Sequence, residues 1–505
     1  MTPKQQHDCR LFCETCPLSR RSFLAGGLAL GSLPVLPQSS PTNTSRQQPV
    51  RLPLTVQPVL VYETYQKKEA TSWRPWGGLL TEADVAQEKE RIGKELSEAG
   101  SKADFPLKFL PLAIAQQPEQ AASIASGNYD VILSYAAGGS VKTLEALTAP
   151  GKQHVMFLRH RSGPVYLWYE IVHPRFLRKT VDDFGQSGMS IEDVVVDRYD
   201  EVFVRLRALY GLKNALGKRI VSLGKPGGWG AGGRLAPDRA REIWKLDIQT
   251  ASYEDLGRRI QLARDDGALV KRSQAAADNY LKQKDVTLGT AREFVYNAFL
   301  LAEVFHDLLD EAGTDAFTIN NCMTTIMPVS KTTACMPLSL LNDDGYMAFC
   351  ESDFVVIPAG ILLHYISGKP VFLNDPTFPH DGVVTLAHCT APRKMDGMHP
   401  EPVKILTHFE SDYGAAPKVE MRIGQDVTNL IPDFSGKRCV GVAGEIIDHP
   451  FMNICRSQID VRLHGDTSRL LEQMRGFHWI TCYGNYLRET RYALKKLGVD
   501  WVVVT

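Results

Sequence analysis

The chain has 505 residues, 44% of them hydrophobic and 23% charged, which is ordinary globular composition in a chain too long for a single core. Length alone implies roughly two to four domains. Lys plus Arg and Asp plus Glu both number 57, so the formal net charge is zero and there is no basic footprint for nucleic acid or for an anionic membrane surface.

At the N-terminus, Ser19-Arg20-Arg21-Ser22-Phe23-Leu24 opens an apolar stretch rich in Ala, Gly and Leu that runs to Val35. That stretch is too short to span a bilayer, which takes about 20 apolar residues. Paired arginines before a weakly hydrophobic, Gly-rich segment are the form of a twin-arginine signal. We expect the signal over residues 1–36 and a flexible Pro/Ser/Thr-rich linker over 37–54. This implies passage through the twin-arginine export machinery, a periplasmic or extracellular location, and no stable membrane anchor after processing. Cys9, Cys13 and Cys16 have a C-x3-C-x2-C spacing that can hold an iron–sulfur cluster, but inside a signal the plainer reading is incidental spacing. Cys322, Cys335, Cys350, Cys389, Cys439, Cys455 and Cys482 stand singly in apolar contexts and read as buried free thiols.

An N-terminal α/β domain is expected over 55–200. Strands are predicted at 58–62, 108–112, 129–134, 154–158 and 165–168, with helices at 81–99 and 118–126 between them. A second α/β domain is expected over 201–370, with strands at 219–223, 246–248 and 316–320 and helices at 238–244, 253–266 and 290–312. Its loop Gly228-Trp-Gly-Ala-Gly-Gly233 fits G-x-G-x-x-G after a strand, and Asp247 lies where a ribose-binding acid would be. A dinucleotide fingerprint usually opens its domain, so the competing reading is a flexible loop rimming a cleft. Beyond residue 370, short β-type runs at 383–386, 403–406, 419–423 and 440–446 argue for a small antiparallel sheet or barrel over 371–505. A helix at 487–497 and a strand at 501–504 close the chain. The fold class is therefore α/β: two Rossmann-like α/β domains followed by a C-terminal β-rich, barrel-like domain.

The chemistry-bearing residues concentrate late in the chain. Cys350-Glu351-Ser352-Asp353 follows an apolar run, and an apolar, helix-like segment over 354–363 comes next. Gly368-Lys-Pro-Val-Phe-Leu-Asn-Asp375 then reads as a turn, a buried strand and an acid at the strand's end, a position that tends to face a ligand crevice in α/β folds. Ala387-His388-Cys389 and Phe477-His478-Trp479 follow, with Tyr483-Gly-Asn485 near the end. Two carboxylates and an imidazole suit Mn2+, Mg2+ or Co2+ in an open site. Each residue alone has a plainer alternative: Asp375 a turn cap, His478 and His388 core histidines.

Taken together, Cys-Glu351-Ser-Asp353, Gly-Lys-Pro-Val-Phe-Leu-Asn-Asp375, Ser339-Leu-Leu-Asn-Asp-Asp-Gly345, Ala387-His388-Cys389 and the closing Phe477-His478-Trp…Tyr-Gly-Asn485 resemble the metal-site region of the L-fucose isomerase and L-arabinose isomerase superfamily, in its fucose isomerase branch. The match covers roughly residues 315–505 by motif. The resemblance implies a divalent metal, most often Mn2+, held by Glu351, Asp375 and His478, with Glu351 and Asp375 also the catalytic acid/base pair. It implies a sugar substrate isomerised between aldose and ketose through an enediolate, with His388, Asp353, Trp479 and Asn485 as substrate-contact candidates. It also implies a homo-oligomer, a trimer or hexamer. Trp479 follows His478 where many relatives carry another histidine or a small residue. A related epimerase or lyase, or an exported sugar-binding protein without catalysis, would share the scaffold. The isomerase reading requires Glu351, Asp375 and His478 to converge within about 6 Å where the second α/β domain meets the β-rich domain, with His388 close by.

Overall fold

The computed structural model describes residues 50–148, 151–183 and 185–504, so the signal, most of the linker and Cys9, Cys13 and Cys16 lie outside the described residues. Within them the chain builds two parallel sheets and a closed antiparallel barrel. None of the described helices is long and apolar enough to cross a membrane.

The first sheet comprises β1 (Leu54–Val61), β2 (Leu107–Phe109), β3 (Ala113–Ala115), β4 (Val131–Ala136), β5 (Gln153–Leu158) and β6 (Val194–Val196). Its order is β2-β1-β4-β5-β6, with β3 on β1 beside β2, and every pairing is parallel. Parallel strands need cover on both faces, and β4 accordingly is buried at every position. Helix Glu82–Lys102 starts at a capping box in which Thr81 and Asp84 satisfy each other's backbone. Its inner face carries a charge: Glu88, wholly buried, accepts hydrogen bonds from Arg159 Nε and the Tyr166 hydroxyl, both at 2.6 Å. Trp168–Ile171 is helical, and the strand expected at 165–168 does not form.

The second sheet comprises β7 (Arg219–Leu223), β8 (Asp247–Ala251), β10 (Ala316–Ile319) and β11 (Met347–Phe349); β9 (Val286–Leu288) lies elsewhere. The order is β11-β10-β7-β8, again all parallel. Helix Arg292–Ala312 covers one face through Leu301, Val304, Phe305 and Leu308, close to the expected span.

The remaining strands are β12 (Phe372–Pro376), β13 (Val383–His388), β14 (Val403–His408), β15 (Tyr413–Val419), β16 (Asp426–Pro432), β17 (Arg438–Asp448), β18 (Ser457–Leu463), β19 (Trp479–Tyr483) and β20 (Asp500–Val504). Pairing runs β16-β19-β12-β13-β18-β17, and β17 returns to β16, so the sheet closes on itself; β20 adds to β17 in parallel. Phe372, Val384, Leu386, Ile431, Val440, Val461 and Trp479 fill the interior, as a small barrel requires. β14 and β15 form a hairpin that β9 extends; the strand expected at 419–423 does not form, and residues 420–425 connect β15 to β16.

Helix Ile357–Ser367 links the second sheet to the barrel and is buried on all sides. Phe349 at the end of β11 and Ile480 of the barrel press on Gly360 so closely that a Cβ there would lie 2.7 Å from the Phe349 ring. The chain segments on either side of this helix, the turn at 350–353 and β12, supply the site.

Candidate metal centre

Glu351 and Ser352 follow β11 with φ of 60° and 47°, the left-handed region that non-glycine residues seldom occupy. Each such residue costs on the order of 1–3 kcal/mol unless its surroundings hold it, and such strain gathers at functional sites. Here the surroundings do hold it: Ser352 is fully buried with its hydroxyl 3.4 Å from that of Ser222, and Phe354 N–H donates to Gly227 O at 3.1 Å. The turn presents Glu351 outward, with its side chain 43% exposed, while Asp353 is buried at 1%.

The barrel supplies the other groups by register. β12 pairs with β19 so that Asn374 lies opposite Trp479, which places Asp375 and His478 as the residues next beyond that pair on the two segments. On the other side of β12, Asp375 lies opposite Ala387, the neighbour of His388. Directly opposed residues in antiparallel strands lie about 4.5–5.5 Å apart, so the pairing alone brings an acid and an imidazole together at one end of the barrel.

The resulting geometry is tight. His478 Nε2 lies 3.2 Å from Asp375 Oδ1 and 3.4 Å from Glu351 Oε2. His388 Nε2 lies 3.8 Å from Glu351 Oε1, and one donor atom each of Glu351, His388 and His478 falls within 4.8 Å of the other two. Behind this face, Asp353 Oδ2 accepts a hydrogen bond from His478 Nδ1 at 2.7 Å. That bond fixes the ring with Nε2 aimed at the two carboxylates. His478 Nε2 and Asp375 Oδ1 are both buried and have no hydrogen-bond partner. Buried polar atoms are nearly always satisfied, so an orphaned imidazole nitrogen facing two carboxylates fits the donor set of a hard or borderline divalent cation.

Electrostatics agree with that fit. Burial works against charge on His478, but Asp353, Glu351 and Asp375 outweigh it and hold the ring's pKa up at about 10. Burial likewise pushes the Glu351 carboxyl up, yet the His388 and His478 imidazoles win and hold it well below the usual carboxylate range. At Asp375 burial prevails and the carboxyl is raised, with the Glu351 charge acting in the same direction. Three carboxylates crowd two imidazoles, an excess of negative charge that a cation would neutralise.

Glu351, Asp375, His478 and His388 thus come together. The other sequence candidates do not join them at the opening. Asp353 stands behind His478 and orients it instead of meeting a substrate. Trp479, one residue on in a strand where side chains alternate, is wholly buried in the barrel core. Asn485 lies beyond the far end of β19, roughly 20 Å from His478 at about 3.3 Å per residue, where its side chain accepts from Leu487 N–H at the start of the last helix. Asp247 opens β8, at the opposite end of the sheet from the loop after β7, and pairs with Arg219 Nε at 2.6 Å, so it is no ribose acid. In the Gly-rich loop Gly228 and Gly233 pack on each other: a Cβ on Gly233 would lie 2.3 Å from the Gly228 carbonyl carbon. The loop adjoins the centre: Trp229 N–H points at Asp353 Oδ1 at 3.4 Å, and the Trp229 ring stacks on Phe477 at 3.8 Å and 9°. Sequence reasoning did not find this half-exposed aromatic pair; its only signal was an aromatic residue inside the Gly-rich loop and another directly before His478.

No family model matches the chain, and no curated protein matches it. Among solved structures, a conserved domain protein from Vibrio cholerae O1 biovar El Tor aligns at 13% identity over 62% of this chain and 83% of that chain, with a TM-score of 0.17.

Proposed function

We propose that the chain is a metal-dependent aldose–ketose isomerase of the L-fucose and L-arabinose isomerase type. The observation that carries this reading is the orphaned Nε2 of His478, locked by Asp353 and facing Glu351 and Asp375 at an opening. Glu351, Asp375 and His478 would hold a divalent cation, most suitably Mn2+, with Mg2+ or Co2+ as alternatives. Such a cation supplies Lewis-acid polarisation to sugar oxygens brought beside it.

The chain's own residues do the proton work. One of the two carboxylates takes the proton from C2 of the sugar and returns it to C1, and the other moves the proton between the O1 and O2 hydroxyls, so the product is an isomer with no net loss or gain of atoms. Both acids are partly exposed, at 43% for the Glu351 side chain and 32% for that of Asp375, so a small polyol can reach them. His388, 3.8 Å from Glu351, bounds the same opening. The stacked Trp229 and Phe477 rings offer the apolar wall on which sugar C–H faces rest.

The test is an aldose panel run in deuterium oxide with Mn2+. Conversion to a ketose is expected for at least one sugar, with the original C2 proton at C1 and deuterium there to the extent that the base exchanges its proton with solvent. Tight Mn2+ binding with no conversion of any aldose to its ketose would sink the isomerase reading and leave sugar binding without catalysis.

A further inference from the structure

A second set of donor side chains lies beside the first and shares none of its residues. One donor atom each of Cys335, Cys389 and His408 falls within 4.8 Å of the other two. All three are buried, with exposures of 3%, 2% and 7%. Cys455 packs on Cys335, Cys389 and Ala416, and its thiol stands beside that of Cys389. The donors come from four places in the fold: the first turn of helix Cys335–Asp343, the residue after β13, the last residue of β14, and the loop leading into β18.

A buried thiol by itself is only a small apolar filler. Three thiols and an imidazole converging from four separate elements are something more, because an imidazole gains nothing from an apolar pocket and loses its hydration there. The surroundings are those of a sulfur ligand set. Arg456 N–H points at Cys389 Sγ at 3.5 Å, the kind of outer hydrogen bond that stabilises a thiolate, and His408 Nδ1 faces the Ser411 hydroxyl at 3.4 Å.

We propose that Cys335, Cys389, His408 and Cys455 form a closed, structural site for a zinc-type divalent cation, separate from the oxygen-rich centre at Glu351. Thiolate and imidazole donors select borderline-soft ions, whereas the carboxylate-rich centre suits hard ones, so the two sites sort different metals. Cys3His is a recurrent tetrahedral zinc set, with Zn–S near 2.3 Å and Zn–N near 2.0–2.1 Å, and ligand atoms then lie roughly 3.5–3.8 Å apart. Cys335, Cys389 and His408 reach that range with side-chain adjustments of about 1 Å, and Cys455, beside Cys389, completes the set by turning its thiol toward the other three. Four protein donors leave no place for substrate, so the role is mechanical. The site ties a helix of the second α/β layer to the barrel wall, and Cys389 directly follows His388, so the ion would fix the strand end that delivers His388 to the first centre.

Cobalt spectroscopy tests this on the full chain, stripped of metal and kept reduced. On adding Co2+ we expect the near-ultraviolet thiolate-to-cobalt charge-transfer band with the visible bands of a tetrahedral ion, bleached by Zn2+. Glu351→Gln should keep that band, and Cys389→Ser should lose it. The wild-type spectrum is decisive even where a cysteine variant fails to fold: no thiolate band overturns the site. So does a band that survives in a folded Cys335→Ser, Cys389→Ser double variant, or a disulfide joining Cys389 to Cys335 or Cys455 in protein purified under non-reducing conditions. Loss of isomerase activity in Glu351→Gln bears only on the first centre, so the two readings fail separately.

Discussion

His478 works through the residue behind it. With Nδ1 donating to Asp353, the ring can neither flip nor change tautomer without breaking a 2.7 Å hydrogen bond in a buried setting. Asp353→Asn keeps the shape but weakens the acceptor, and loss of such an outer partner typically costs 10–100-fold in metal affinity; Mn2+ titration calorimetry on the variant should show a drop in that range. Glu351→Gln removes a proposed ligand and a base at once, so turnover of the responding aldose should fall by at least ~10²-fold, and near-native turnover would remove Glu351 from the chemistry. At this scale the residues taken singly had plainer readings, and Glu351, Asp375 and His478 were joined as one set only by the resemblance of their motifs to the isomerase superfamily. That resemblance assigned Asp353 to substrate contact, whereas the left-handed turn at 351–352 turns Glu351 outward and buries Asp353 against His478 Nδ1. Trp479 and Asn485 were misplaced for the related reason that neighbours in a strand point to opposite faces, and the strand carries its far end away. The sulfur cluster was invisible, since its members lie singly between residues 335 and 455.

Short apolar runs and a helix with one apolar stripe were legible: β4, β7 and helix Arg292–Ala312 form close to their expected spans. Helix Tyr199–Ala215 was not foreseen. Its buried residues include Val202, Leu206 and the whole run from Ala208 to Leu212, so it is enclosed on most sides and lacks the polar face that marks a helix in sequence. The helix Glu82–Lys102 shows the converse, a polar residue turned inward. Glu88 and Arg159 are both fully buried and joined at 2.6 Å, with Glu95 Oε2 also 2.6 Å from Arg159 Nη2. Removing one member of a buried pair costs about 3–5 kcal/mol when the other is left unpaired; Glu88 keeps Arg91, whose Nη1 lies 2.5 Å from its Oε2, so Arg159→Ala should lose up to that much in urea unfolding. An Arg159→Met, Glu88→Leu pair should recover much of the loss, because the charges are then removed together.

Across the molecule, acid stability should depend on histidines kept neutral by the core. Burial lowers His154 to about 4 and His364 to about 3, the nearby Lys496 adding to the first and Arg51 to the second. Both folded values lie below the ordinary 6.5, so between these values the unfolded chain binds protons that the native chain does not. Each group's contribution is therefore complete above about pH 6.5 and is lost as pH falls toward its folded value. For His154 the difference amounts to about 3 kcal/mol. Urea midpoints measured from pH 7 to 4.5 should fall less steeply for His154→Gln than for the unaltered chain; parallel slopes would show that His154 takes up its proton without unfolding. Fold class, with its barrel-like last domain, was legible at this scale because parallel α/β layers and short antiparallel strands differ in pattern, but the strand order was not, since β19 pairs with β12 and β16 across stretches of sequence that leave no local trace.

Closure of the barrel has a consequence for how the protein can change. A hairpin with a free edge can slide by a residue and pair again. In a ring, every strand is held on both sides, and a slip in β12 has to be matched by β19, β13 and, through them, by the rest of the circuit. Asp375 and His478 meet only because one register holds, and a shift of a single position would turn Asp375 into the packed interior. The centre should therefore tolerate exchange of many side chains around it while a one-residue insertion in β12 abolishes it outright, so that drift in this protein accumulates by replacement in the barrel wall and by length change only in the loops between strands.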